Sequence, residues 1–83
     1  MEFRLLVDAG VIDFLQKLPA QQRRRLFRHL REIQKYPGNN SDFIERDEEG
    51  RHLDVSTFEA FRVYYWTDGA DRHVKILEVR ETD

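Results

Sequence analysis

The residues best placed to do chemistry lie in the second half of the chain. Arg62 sits within Phe61-Arg62-Val63-Tyr64-Tyr65-Trp66-Thr67, Arg80 follows the run Val74 to Val79, and Arg51-His52 precede Leu53-Asp54-Val55. These types suit acid–base and electrostatic work on an anion. RNA cleavage is one such reaction, and it needs no cofactor. The ribose 2′-hydroxyl attacks its own phosphate when one group takes its proton and another protonates the leaving 5′-oxygen, while cations hold the charge of the phosphorane. Arg62, Arg80 and either His52 or Arg51 can share that task if their strands converge on one face. The alternative is that they are ordinary solvent-facing charges on a half-exposed sheet.

Other chemistries lack their residues. His29, His52 and His73 show no HxxxH or HExxH spacing, and the chain has no cysteine, so no structural metal is expected. Gly10, Gly38, Gly50 and Gly69 are scattered singly and form no phosphate-cradling loop. The five serines and threonines lack a nucleophile motif. Covalent catalysis and cofactor chemistry therefore have no foothold.

Charge supplies the second candidate. The net charge of −2 hides a strong polarity. Residues 21–37 sum to +5, with Arg23, Arg24, Arg25, Arg28, Arg31 and Lys35 set against Glu32 alone. Residues 38–60 sum to −5. Arg24, Arg25, Arg28, Arg31 and Arg51 are candidate contacts for RNA phosphates, each neutralised phosphate releasing counterions. An acidic protein segment would suit the same helix. The plain alternative is a helix that shows arginine wherever it is not packed. The acidic stretch Glu45 to Glu49 reads as a solvated loop.

These residues must be positioned by elements that the hydrophobic spacing outlines. Phe3 to Val7 reads as a first strand, and Asp8 caps a helix with Val11, Ile12, Leu15 and Leu18 on one face. Pro19 interrupts, and a longer helix runs from Ala20 to Tyr36 with an apolar stripe of Leu26, Phe27, Leu30 and Ile33. Pro37-Gly38-Asn39-Asn40 ends it. Phe43-Ile44 opens a short strand, His52 to Ser56 alternates as a half-buried strand does, and Thr57 to Ala60 is a tight connection. Phe61 to Thr67 is the strongest strand, with Phe61, Val63 and Tyr65 on one face and Arg62, Tyr64 and Trp66 on the other. Asp68 to Asp71 turns into a return strand, Val74 to Val79. The bulk of Trp66 favours a place beneath the helices, with Tyr64 beside it and Arg62 at the rim; the other placement leaves that face open for docking.

The fold class expected is α+β: an N-terminal strand, an antiparallel helical hairpin, then a three- to four-stranded antiparallel meander. Eighty-three residues fit a single domain spanning 1–83. Charged residues make up 36% of the chain, which implies a densely ionic surface. No apolar run is long enough for a membrane span, and a cytoplasmic location is expected.

Leu15-x-x-Leu18, Leu30-x-x-Ile33-x-x-Tyr36-Pro37, Phe61-Arg62-Val63-Tyr64-Tyr65 and Val79-Arg80 follow one another along these elements. In that order the chain resembles the RelE/ParE toxin superfamily, the toxin halves of bacterial type II toxin–antitoxin modules. The resemblance spans nearly the whole chain, and its specificity lies in order and spacing. It implies a cognate antitoxin as partner, no small-molecule cofactor and one of two activities. RelE-like members are ribosome-dependent mRNA endonucleases; ParE-like members act on DNA gyrase, and a degenerate member would only bind a partner protein. In the nuclease branch Arg62 and Arg80 hold the scissile phosphate, with His52 as a proton-transfer group. Two departures stand out. Nuclease members usually carry lysines on the strand that here reads Arg51-His52-Leu53-Asp54-Val55. Some also carry a catalytic tyrosine in a C-terminal extension, whereas here Arg80 is followed by Glu81-Thr82-Asp83.

Overall fold

A computed structural model describes residues 2–82, so both ends of the expected 1–83 domain lie outside the described residues. Seven elements follow in order: β1 (Arg4–Val7), α1 (Ala9–Gln16), α2 (Ala20–Lys35), β2 (Phe43–Arg46), β3 (His52–Phe58), β4 (Phe61–Asp68) and β5 (His73–Glu81). The strands form one sheet in the order β1-β5-β4-β3-β2. β2 to β5 are an antiparallel meander, and β1 adds to β5 in parallel. The α+β class and the helical hairpin match the expectation, and the sheet is five-stranded and mixed. That parallel pairing follows from the connection: the helices carry the chain across the sheet before it returns as a meander.

Both helices start and stop for local reasons. The Asp8 carboxylate accepts the N–H of Gly10 at 3.0 Å and caps α1. Pro19 precedes α2, where a missing N–H costs nothing. At the far end the Asn40 side chain donates to the carbonyls of Glu32 and Tyr36 at 3.2 and 2.9 Å, satisfying groups that α2 leaves open.

The helices bury one face of the sheet. Leu26, Leu30 and Ile33 of α2 and Val11 and Leu15 of α1 meet Phe61, Val63, Tyr65, Val74, Ile76 and Val79 in one cluster. Each large aliphatic side chain placed there contributes about 1.5–3 kcal/mol relative to exposure. The Tyr65 hydroxyl crosses the core to donate to the Pro37 carbonyl, which ties β4 to the loop after α2.

Three side chains expected in the core lie outside it. Phe27 and Ile12 are exposed, because each sits one residue off the buried row of its helix, Leu26-Leu30-Ile33 and Val11-Leu15 respectively. Trp66 is 41% exposed: its face of β4 is the one the helices leave bare. Tyr64 shares that face yet is only 4% exposed, because the Arg80 guanidinium lies 4.8 Å from its ring centre. Glu45 and Arg46 belong to strand β2, so the acidic stretch is loop only in part. Strand β3 runs on to Phe58, leaving Glu59-Ala60 as the turn, with Glu59 at φ 53.

Candidate functional site

Arg62 and Arg80 stand directly opposite each other across β4 and β5. A register shift puts them there. Val74 and Ile76 face the helices, and strict alternation would turn Arg80 the same way. Between Tyr64 and Tyr65, however, the pairing slips: Tyr64 faces Glu78 while Tyr65 faces Ile76, so Leu77 is the extra residue of a bulge. Beyond it Val79 returns to the core, and Glu78 and Arg80 join Arg62 on the open face.

Like charges placed opposite one another repel, and each arginine is drawn onto a neighbouring ring. Arg62 lies over the Phe43 ring at 5.6 Å, whereas Arg80 covers Tyr64 and pairs with Glu78 at 2.5 Å. The Glu78 carboxylate raises the Arg80 pKa further above its ordinary value, so the guanidinium is permanently charged. A hollow of about 440 Å³ opens beside Arg80, floored by Leu53 and Tyr64. Its rim carries Glu45, Asp47, Glu48, Glu49 and Glu78 against Arg46, Arg51 and Arg80. Asp47 accepts the backbone N–H groups of Glu49 and Arg51 and the Arg51 guanidinium at 2.7 Å, and these bonds hold its carboxyl below the usual range. An anion approaching Arg80 through this hollow meets carboxylates first.

The remaining candidate residues fall elsewhere. His52 is exposed and, by the alternation of β3, shares its side with Asp54 and Ser56. It lines a second hollow of about 590 Å³ with Arg51, Leu53, Trp66, Lys75 and Leu77. Arg51 alone of the candidates borders both hollows. On α2 the arginines splay to two sides. Arg24 and Arg28 flank the exposed Phe27 with Arg23, while Arg25, Arg28 and Arg31 border His29 and Glu59. Arg25 is tied to Glu59 at 2.9 Å and Arg31 to Gln34 at 2.9 Å. Arg24, Arg25, Arg28 and Arg31 thus lie on α2, and Arg51 lies in the turn before β3.

Two groupings were not legible as sites. Lys75 and Trp66 pair across β5 and β4, and the Lys75 ammonium sits 4.9 Å from the ring centre. At the β4–β5 turn, Asp68, Asp71 and His73 each bring one donor atom within 4.8 Å of the others. No histidine pair signals that grouping in the sequence. Asp68 is accounted for by its turn, since one of its oxygens accepts the N–H groups of Ala70 and Asp71.

His29 links the helical layer to the sheet: its Nε2 lies 2.7 Å from Ser56 Oγ, and its ring stacks on Phe58 at 4.5 Å. Burial pushes its pKa down, opposed by Asp42 and Glu32 nearby.

No family model and no curated protein sequence matches the chain. Among solved structures it is similar to a chain of the archaeal RelE–RelB complex from Pyrococcus horikoshii OT3. The TM-score is 0.80 at 23% identity, over 98% of this chain and 96% of the other. The fold that the sequence resemblance implies is therefore the fold this chain shares with that structure. No helix among the described residues is long and apolar enough to cross a membrane.

Proposed function

We propose that the chain is the toxin of a type II toxin–antitoxin pair. It works in the cytoplasm as a metal-independent endoribonuclease on mRNA at the ribosome and is held in check by a cognate antitoxin. The observation that carries this reading is the side-by-side placement of Arg62 and Arg80 on the open face, achieved through a bulge. Two guanidinium groups offer paired donors to a phosphate and stabilise the charge it gains as the 2′-hydroxyl attacks. For Arg80 to engage RNA, it must exchange Glu78 for the phosphate. His52, lining the neighbouring hollow, is the proton-transfer group of this reading. The complexed state of the structural neighbour supports a protein partner for this fold.

Induced expression in bacteria tests the reading. Methionine incorporation falls before thymidine incorporation, and Arg62→Ala and Arg80→Ala each relieve the growth arrest while folded protein accumulates. Full toxicity in both variants overturns the assignment. A second reading, an inhibitor of DNA gyrase or a partner-binding protein without catalysis, is favoured by the carboxylates around Arg80. It is adopted if thymidine incorporation falls first, or if neither label falls.

A further inference from the structure

We propose that the hollow around Trp66 is a binding subsite for one nucleobase of single-stranded RNA, with Trp66 as the stacking platform and Lys75 as its phosphate contact. This rests on the ribonuclease reading and adds a positioning residue that the arginine pair does not supply. Sequence-tolerant recognition of single strands combines an aromatic ring with cations that follow the backbone, because every base has a π-face.

The open face presents two hollows of opposite character. The one beside Arg80 is rimmed by five carboxylates. The one beside Trp66 has none: its six lining residues are Arg51, His52 and Lys75, the apolar Leu53 and Leu77, and Trp66. Arg51 is engaged by Asp47 and Glu49, so Lys75 supplies the charge an RNA backbone would feel. The ring is 41% exposed, which is unusual for the largest side chain of so small a protein. Among the described residues, the cation over its face is the Lys75 ammonium. A phosphate draws that flexible ammonium off the ring and opens the face to a base, and the leucines complete a dry floor. The combination of aromatic, cations and no carboxylate fits an anionic ligand carrying a flat ring.

The geometry also relates this subsite to the arginine pair. Trp66 and Arg62 point to the same side of β4, four residues apart, or about 13 Å along the strand. Lys75 and Arg80 lie on β5 opposite them. A strand of RNA lying along β4 and β5 meets both positions.

Trp66 is the only tryptophan in the chain, so its emission reports this hollow and no other part of the protein. The experiment titrates the full chain at low salt with a short single-stranded RNA whose 2′-hydroxyls are methylated to prevent cleavage. Saturable quenching is expected. Trp66→Ala should weaken binding of a labelled copy of that RNA about ten-fold, Trp66→Phe less, with melting curves close to the parent's. Lys75→Gln should weaken binding and flatten its salt dependence. The proposal is overturned by no quenching at saturation, by equal affinity of the Trp66→Ala protein, or by equal quenching with polyphosphate, which has charge but no base. Quenching by an acidic peptide in place of RNA also overturns it and assigns the hollow to a protein partner. The growth assay of Arg62→Ala and Arg80→Ala is scored separately. Loss of arrest in those variants beside an unquenched Trp66 keeps the nuclease and removes the subsite.

Discussion

Tyr65 and Trp66 are adjacent in sequence and stand on opposite faces of one sheet, and the contrast between those faces organises the molecule. Tyr65 is wholly buried among helix side chains, and its hydroxyl is anchored on Pro37. Trp66 lies on a bare surface with Lys75 over its ring. The covered face holds stability, and the open face gathers the arginine pair and both hollows on its surface. A small domain that leaves one sheet face bare gives up apolar burial it can scarcely spare, so the bare face is where an interaction is to be sought.

The sharpest way to break this contrast is to truncate both rings. Tyr65→Ala should destabilise the fold by about 3–5 kcal/mol, as buried aromatic truncations do. Trp66→Ala should cost under about 1 kcal/mol, as a surface change does. Urea midpoints measured side by side decide it, and equal losses would mean that the open face is structural. A smaller change separates packing from bonding. Tyr65→Phe keeps the ring but leaves the Pro37 carbonyl without its donor, at a cost of about 1–2 kcal/mol. Burial raises the Tyr65 pKa, so the phenol stays protonated and the bond persists through alkaline conditions in which an exposed tyrosine ionises.

The link between the layers should show in pH. His29 has a folded pKa below its ordinary value of 6.5, chiefly through burial. The unfolded chain therefore binds the proton more readily than the folded one. Stability is full above 6.5 and declines as the pH falls from there through the folded pKa. His29→Gln should remove that decline while leaving the later one below 3.8. There the Asp42 carboxylate, held low mainly by the Thr57 N–H, takes up its proton. Thermal melts between pH 8 and pH 3 distinguish the two windows, and an unchanged decline in His29→Gln would assign it to another group.

The sequence carried the order of elements well, because each has its own punctuation: Asp8, Pro19, Pro37-Gly38 and the turn at Asp68-Gly69. It also placed Arg62, Tyr64 and Trp66 together through simple alternation of β4. The side on which that face lies was not legible. Bulk placed Trp66 inside, whereas the helices cover the Phe61-Val63-Tyr65 side. Nor does alternation place Arg80, since the bulge at Leu77 appears only when β5 is paired with β4. Phe27 and Ile12 look like core in a helical count, yet the buried rows run one residue away from each. The sheet's parallel edge is invisible for a further reason: Arg4–Val7 could pair on either edge until the helices fix the crossover.

The basic helix supplies the smallest expected effect and the closest test of how charge is divided between layers. Arg25 on α2 reaches Glu59 in the β3–β4 turn at 2.9 Å, the single ion pair among those found that joins helix to sheet. Both side chains are more than a third exposed, so solvent and salt screen the pair, and holding two long chains in place offsets the attraction. Arg25→Ala should therefore shift stability by no more than about 0.5 kcal/mol, shrinking further in high salt. Glu59 sits at a positive φ that favours glycine, so Glu59→Gly loses the same pair while relieving the backbone and should be no less stable than Arg25→Ala. If either variant fell by several kcal/mol, the ion pair would be holding the helical layer onto the sheet. Docking of that layer by the apolar cluster alone would then be wrong.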